Sequence, residues 1–158
     1  MKYALIGCGR ISPNHIAAAK ANKLEFAGIC DVNTEMLREK AAEFGLENVR
    51  QYTDYHEMLK KEKPELAAIA TESGKHAAIA LDCINAGCHV IIEKPMALSL
   101  ADADAIIQAA KEKGVKVCVS HQNRFNKSVQ KIRKTLEEGR FGRTFYRPAH
   151  IRWCRNEN

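Results

Sequence analysis

The chain has 158 residues, of which 46% are hydrophobic and 28% charged, and its formal net charge is +6. This length suffices for a domain with a real core, and this composition excludes intrinsic disorder. No apolar run approaches the roughly 18 residues that a membrane helix needs. The N-terminal residues do not read as a secretory leader, so the expectation is a cytoplasmic protein with no membrane partner.

Short apolar runs alternate with helical segments along the chain. The apolar runs cover 3–7, 24–30, 65–70, 89–92 and 115–120, and the helical segments cover 13–22, 34–44, 54–62, 76–86, 100–113 and 126–138. This alternation predicts an α/β fold with a doubly wound, mostly parallel Rossmann sheet. Residues 144–153 predict a further strand with no helix after it. The expected domains are therefore 1–122, and a truncated second α+β domain at 123–158.

The positive charge is concentrated near the C-terminus. Residues 121–158 carry ten Lys and Arg against three Asp and Glu, whereas residues 1–120 carry 15 against 16. A basic segment can bind nucleic acid, an anionic small molecule or another part of a longer chain. Because no aromatic stacking platform or recognition helix accompanies it, no nucleic-acid partner is predicted.

The six cysteines predict no metal centre. None forms a CxxC pair, and no histidine stands at zinc-ligand spacing from a cysteine pair. Several lie inside apolar strand-like runs, where a thiol behaves as a small hydrophobic group. The expectation is buried, reduced thiols.

The first apolar run ends in GCGRIS at residues 7–12, close to the G-x-G-x-x-G/A dinucleotide fingerprint. Gly7 allows the tight turn, and Gly9 lets the backbone approach a pyrophosphate. Ser12 is small enough for close packing of helix and strand, and its hydroxyl is a candidate phosphate ligand. Asp31 follows the second run, where a carboxylate accepts hydrogen bonds from a ribose and repels a 2′-phosphate, which favours NAD. The alternative is a turn without a ligand, with Asp31 as a helix cap.

Polar residues follow three of the later apolar runs, at 70–73, 92–95 and 120–124. The carboxyl ends of parallel strands meet at one edge of the sheet, and ligands bind there. These segments are therefore expected to form a site together with the glycine turn.

Several of these motifs together resemble those of the Gfo/Idh/MocA oxidoreductases, named for glucose–fructose oxidoreductase and inositol dehydrogenase. The motifs are GCGRIS at 7–12, Asp31, AT-x-x-x-x-H at 70–76, EKP at 93–95 and HQNRF at 121–125. The resemblance covers essentially the whole chain and implies the N-terminal half of such an enzyme. The basic stretch after residue 121 is similar to the branch that oxidises UDP-N-acetylglucosaminuronate-type sugars at C3.

The resemblance assigns Lys94 as the catalytic residue, beside the nicotinamide and the substrate hydroxyl, with a peptide bond to Pro95 that is often cis. Its cation can stabilise a developing alkoxide, and its neutral form, which burial would favour, can accept a proton. The alternative is a Lys–Glu surface pair at a turn. The expected NAD contacts are Gly7, Gly9, Arg10, Ile11, Ser12, Asp31, Thr71, Glu93, Lys94 and Gln122, and the expected substrate contacts are Lys94, Asn123 and Arg124. For His76 packing or capping is at least as plausible as a functional role, and for His15 a structural role is more plausible than catalysis.

The implied reaction is hydride transfer between a sugar-type secondary alcohol and NAD. Family members pair the lysine with a D-x-x-x-H motif in the second domain, and no such motif follows residue 94 here. This chain is therefore expected to bind NAD but to turn over little or nothing alone, and the full-length form is expected to be a homo-oligomer. The alternatives are an NAD-dependent glycosidase of the same family and a non-catalytic dinucleotide-binding module.

Overall fold

A computed structural model describes residues 1–143 and 145–146 of the chain. The chain divides into two compact units, between His121 and Gln122. The strand predicted over 144–153 lies almost wholly outside the described residues. Among the described residues, no helix combines the length and apolar character that crossing a membrane requires.

The first unit alternates strands and helices in chain order. Its elements are β1 (Lys2–Ile6), α1 (Ser12–Ala21), β2 (Glu25–Cys30), α2 (Thr34–Glu43), β3 (Gln51–Tyr52), α3 (Tyr55–Glu62), β4 (Leu66–Ile69), α4 (His76–Asn85), β5 (His89–Ile92), α5 (Leu100–Lys113) and β6 (Val117–Val119). A short 3-10 turn, Ser73–Lys75, precedes α4. The second unit contains a 3-10 turn, Gln122–Phe125, and α6 (Lys127–Glu137).

Six strands form one sheet in the order β3-β2-β1-β4-β5-β6, and every pairing is parallel. The predicted Rossmann fold is therefore confirmed. Strand order reverses between β1 and β4, which makes the carboxyl edge there the switch point where ligands bind in such sheets. The strand β3 was not predicted, because two residues are too short to show a period.

The core has two layers because successive side chains of a strand point to opposite faces. Leu5 of β1 packs with Ile16 of α1 and Leu37 of α2 on one face of the sheet. Ile6 packs with residues of α3, α4 and α5, including Ile84 and Ile106, on the other. Full burial of each such side chain stabilises the fold by about 1.5–3 kcal/mol. Packing on both faces of the sheet therefore fixes the positions of the strand ends.

Local capping fixes where the helices begin. Asn33, Asp54 and Ser99 each accept backbone N–H bonds from the first turn of α2, α3 and α5, respectively. These caps satisfy donors that the helix itself leaves free. The helices therefore start just past the carboxyl ends of the strands and leave that edge open for loops.

Candidate functional site

Gly7 directly follows β1 and is required by the fold. Its φ is +97°, and a Cβ built on it would lie 2.6 Å from the carbonyl carbon and oxygen of Ala70. Its N–H donates to the carbonyl of Cys30 at 2.8 Å. The turn can therefore pass the end of β4 only because this residue has no side chain.

Gly9 is different, because the protein places nothing against it. A Cβ there would have no atom within 4 Å, and its φ is not in the left-handed region. The packing of the described residues gives no reason for glycine at this position. The open space fits a group that approaches the backbone closely, as a dinucleotide pyrophosphate does.

Ser12 stabilises the glycine loop by a hydrogen bond within it. Its side chain is fully buried, and its hydroxyl donates to the carbonyl of Gly9 at 2.7 Å. The expectation of a small residue is met, and the predicted contact of this hydroxyl with a phosphate stays a prediction, since without a ligand the hydroxyl donates within the loop. The neighbouring Arg10 is exposed, and Ile11 is half-buried.

Asp31 joins the glycine loop to the end of β2. One carboxylate oxygen accepts from the N–H of Cys8 at 2.7 Å, and the other accepts from the N–H of Asn33 at 2.8 Å. The cap of α2 is Asn33, so the alternative reading of Asp31 as an ordinary helix cap is wrong. Each carboxylate oxygen keeps a second acceptor site, which leaves capacity for ribose hydroxyls.

A cleft of about 600 Å³ opens at the switch point between these loops. Gly9, Asp31 and Thr71 line it together with an apolar wall that includes Tyr55 and Ile79. The Tyr55 hydroxyl donates to a carboxylate oxygen of Asp82 at 2.7 Å, which fixes the ring. Ligand sites commonly have this volume and this mixture of apolar wall and few polar groups. The residues present therefore fit an NAD molecule.

Glu72 and Lys75 form a charged pair on the same cleft. Their side chains meet at 2.9 Å, and the pKa of Glu72 is lowered, chiefly by the hydrogen bond from Lys75. Both side chains are largely exposed, so this pair contributes little to stability. These two residues, which the sequence analysis did not select, add polar groups to the lining.

The EKP segment continues directly from β5, beside the end of β4. Glu93 is 8% exposed, and its backbone N–H donates to the carbonyl of Ile69 at 3.0 Å. His15 lies 3.0 Å from one carboxylate oxygen of Glu93, and the other oxygen accepts from the Lys94 N–H at 3.3 Å. The Lys94–Pro95 peptide bond is cis.

The Lys94 side chain is exposed, so the burial that the sequence analysis expected is not supplied by the described residues. No ion pair between Lys94 and a carboxylate is found among residues 1–143. The alternative of a Lys94–Glu93 surface pair is therefore not observed. The lysine instead projects from a turn in which the Glu93 side chain and the Pro95 carbonyl each contact a histidine.

His15 and His76 were named from the sequence, but none of their contacts was predicted. His76 is 1% exposed, and its ring nitrogens lie 2.7 Å from the carbonyl oxygen of Pro95 and 3.0 Å from that of Thr71. His15 contacts Glu93, 78 residues away in sequence. His76 stands at the end of the AT-x-x-x-x-H motif, which was the only available signal for it.

Gln122, Asn123 and Arg124 lie on the exposed 3-10 turn that opens the second unit. Their assignment to cofactor and substrate stays a prediction. Within the described residues no cluster of His, Cys, Asp or Glu is arranged to hold a metal ion. Cys8, Cys30, Cys83 and Cys88 are buried free thiols, whereas Cys118 is exposed, contrary to expectation.

Residues 1–121 match a family model described as an oxidoreductase family with an NAD-binding Rossmann fold, Gfo/Idh/MocA. The chain belongs to the Gfo/Idh/MocA oxidoreductase family. The predicted family and the predicted cofactor, NAD, are therefore confirmed.

Individual Gfo/Idh/MocA relatives have different substrates in their names. The WlbA dehydrogenase of Bordetella pertussis, solved with NADH and UDP-GlcNAcA, is 39% identical with a TM-score of 0.82, covering 90% of this chain and 43% of that one. A D-apiose dehydrogenase of Paraburkholderia graminis is 36% identical, covering 92% and 38%. A 4-carboxy-2-hydroxymuconate-6-semialdehyde dehydrogenase of Sphingobium is 34% identical, covering 88% and 44%. The chain thus spans less than half the length of these relatives.

Proposed function

We propose that the chain is the cofactor-binding part of an NAD-dependent oxidoreductase that acts on a sugar-type secondary alcohol. The observation that carries the proposal is the cleft at the switch point, where Gly9 leaves open space and Asp31 retains acceptor capacity. The turn that carries Lys94 follows β5, the strand that pairs with β4. This arrangement provides a place for a dinucleotide and, beside it, a cationic group.

The residues have distinct roles in this proposal. The backbone at Gly7 and Gly9 would approach the pyrophosphate, with Arg10 and Ile11 beside it, and Asp31 would accept the adenosine ribose hydroxyls. Thr71 and Glu93 would line the route toward Lys94. When bound, NAD supplies the acceptor or donor of a hydride.

Lys94 would act on the substrate hydroxyl. Its ammonium form would stabilise negative charge on that oxygen, and its neutral form would accept the hydroxyl proton at Nζ. A positioned acid–base group typically contributes about 10²–10⁴-fold to a rate. In a full-length form of the enzyme, Lys94→Met should therefore lower turnover by about this factor.

For the substrate we propose a UDP-sugar acid, with Asn123 and Arg124 among its contacts. The proposal is supported by the similarity to a WlbA dehydrogenase solved with UDP-GlcNAcA and by the net charge of +7 in residues 121–158. Arginines suit diphosphates and carboxylates because they bind them in a bidentate manner. The name of the D-apiose dehydrogenase among the relatives makes D-apiose the comparison substrate for the test.

The first experiment is calorimetric titration of the chain with NADH and with NADPH. We expect NADH to bind at least about tenfold more tightly, because Asp31 would repel a 2′-phosphate. Asp104→Asn, which removes an exposed charge on α5 away from the cleft lining, is the control for nonspecific charge effects. Equal affinity for the two dinucleotides, or no affinity for either, would contradict the proposal.

The second experiment measures turnover with UDP-GlcNAcA. We expect the chain supplied with NAD⁺ to show little conversion, since no D-x-x-x-H motif follows Lys94. Rapid NADH production by this chain would contradict that expectation. Release of a free sugar without net NADH would favour the glycosidase alternative, and dinucleotide binding that is indifferent to every sugar would favour the non-catalytic module.

A further inference from the structure

Each residue that flanks Lys94 is held by a histidine from a different helix. His15 in α1 contacts the Glu93 side chain, and His76 in α4 contacts the Pro95 carbonyl. We propose that His15 and His76 are positioning residues that together fix the Glu93–Pro95 turn and so aim Lys94. The inference rests on the role proposed above for Lys94.

The contact with His15 holds a buried carboxylate. The side chains of His15 and Glu93 are each only 10% exposed, and the Nε2–Oε1 distance is 3.0 Å. A carboxylate away from water is costly unless a donor or an opposite charge faces it, so the histidine determines where Glu93 points. The second oxygen of Glu93 accepts the Lys94 N–H, so the backbone of Lys94 is tied to α1 through this carboxylate.

The contact with His76 joins two strand-end loops. Its buried ring bridges the carbonyl oxygens of Thr71, after β4, and Pro95, after β5. Neither contact caps α4, whose preceding residue Lys75 also makes no side-chain cap. A neutral ring has one N–H and donates to one of these two carbonyls, and in either tautomer that hydrogen bond crosses to a loop at the cleft edge.

These contacts matter because the Lys94 side chain can adopt many conformations. Lys94 is exposed, and a four-carbon side chain has several soft rotations. Its reach toward a substrate is reproducible only if its own backbone is fixed. An error of about 1 Å in such a group can cost about 10²-fold in rate. The histidines fix the backbone on both sides of the lysine.

The test uses the 158-residue chain without cofactor and reads the turn directly by NMR. His15→Leu removes the donor to Glu93, whereas His15→Gln keeps an amide donor near the position of Nε2. His76→Asn keeps a donor near Nδ1, which faces Pro95, whereas His76→Gln keeps one near Nε2, which faces Thr71. His56→Gln is the control, because His56 is 61% exposed and lies in α3.

The main reading is hydrogen exchange of the Lys94 amide, which reports the bond to Glu93. We expect an increase of about tenfold in His15→Leu and recovery in His15→Gln, as local opening becomes easier. The Met96 amide nitrogen is bonded to the Pro95 carbonyl carbon, so its chemical shift reports whether that carbonyl accepts a hydrogen bond. We expect the Met96 amide to keep its wild-type chemical shift in His76→Asn and to change it in His76→Gln. The melting temperature is measured for each variant to separate these local effects from general destabilisation.

Two results would overturn the proposal. One is an unchanged exchange rate of the Lys94 amide in folded His15→Leu. The other is an equal response of the Met96 signal to both His76 variants. If a His76 variant does not fold, the His15 pair still decides the question. NADH titration of the same variants is read separately, so a wild-type chain that fails to bind NADH counts against the proposed function and not against the contacts of the turn.

Discussion

The two glycines of the first turn give the sharpest test of the site, because the structure separates a glycine that the fold needs from one that a ligand needs. In Gly7→Ala, the new methyl group would stand 2.6 Å from the Ala70 carbonyl at a φ of +97°. The unfavourable φ costs about 1–2 kcal/mol, and overpacking against fixed backbone costs about 1–3 kcal/mol. At about 4 °C per kcal/mol, the combined cost of about 2–5 kcal/mol should lower the melting temperature by roughly 8–20 °C.

In Gly9→Ala the same methyl group meets no protein atom within 4 Å. The free energy of unfolding should stay within about 0.5 kcal/mol of wild type, as for most substitutions whose added atoms contact no other part of the protein. NADH affinity should fall at least about tenfold, because the methyl group occupies the approach of the pyrophosphate. Gly74→Ala is the matched control, since Gly74 also has open space and no positive φ.

The assay is thermal unfolding by circular dichroism, followed by calorimetric titration of each folded variant with NADH. A Gly7→Ala variant with the wild-type melting temperature would refute the close approach of the turn to β4. A stable Gly9→Ala variant with wild-type NADH affinity would refute the assignment of the open space to the cofactor. Because stability and affinity are measured separately, neither reading obscures the other.

Further predictions concern stability and thiol chemistry. The hydroxyl of buried Tyr3 has no partner among the described residues, so Tyr3→Phe should raise the free energy of unfolding by about 1 kcal/mol in urea titrations, and a loss would reveal a partner. Hydrogen bonds from Tyr52 and then Arg50 lower the pKa of Glu62. A carboxyl of this kind stabilises the fold above its unfolded pKa of about 4.3, so the deficit of Glu62→Gln at pH 7 should shrink as the pH falls through the lowered value, and a constant deficit would contradict this. Burial, and then the charge of Asp31, raises the pKa of Cys8 to about 12, so at pH 8 a maleimide should label exposed Cys118 and leave native Cys8 unmodified in peptide mapping. Equally fast labelling of Cys8 would show that its loop opens.

The sequence predicted those features that depend on neighbouring residues. Alternating apolar runs and helical segments indicated a parallel sheet, and the GCGRIS turn and Asp31 fell at the ends of β1 and β2, as expected. Ser12 was correctly expected to need a small side chain. The direction of its hydroxyl could not be predicted, because that depends on the carbonyl of Gly9, whose orientation is set by the folded loop.

The features that were missed depend on residues far apart in sequence. Nothing near His15 indicates that its ring will meet Glu93 on another strand end, and this contact forms only when α1 packs beside β5. Strand β3 exists because its backbone pairs with Ile29 and Cys30 of β2, although its two residues show no pattern of their own. Tertiary contacts thus decide what local preference leaves open.

The two hydrogen bonds of Asp31 make coenzyme choice difficult to change. An engineer seeking NADP use would replace this carboxylate with a neutral or basic side chain. A basic side chain removes both acceptors that the backbone of Cys8 and Asn33 use, and asparagine keeps only one, so either change would loosen this loop. A mutational path to NADP therefore requires a second substitution that restores an acceptor to the loop, and the order in which the two arise decides whether the intermediate folds and binds at all.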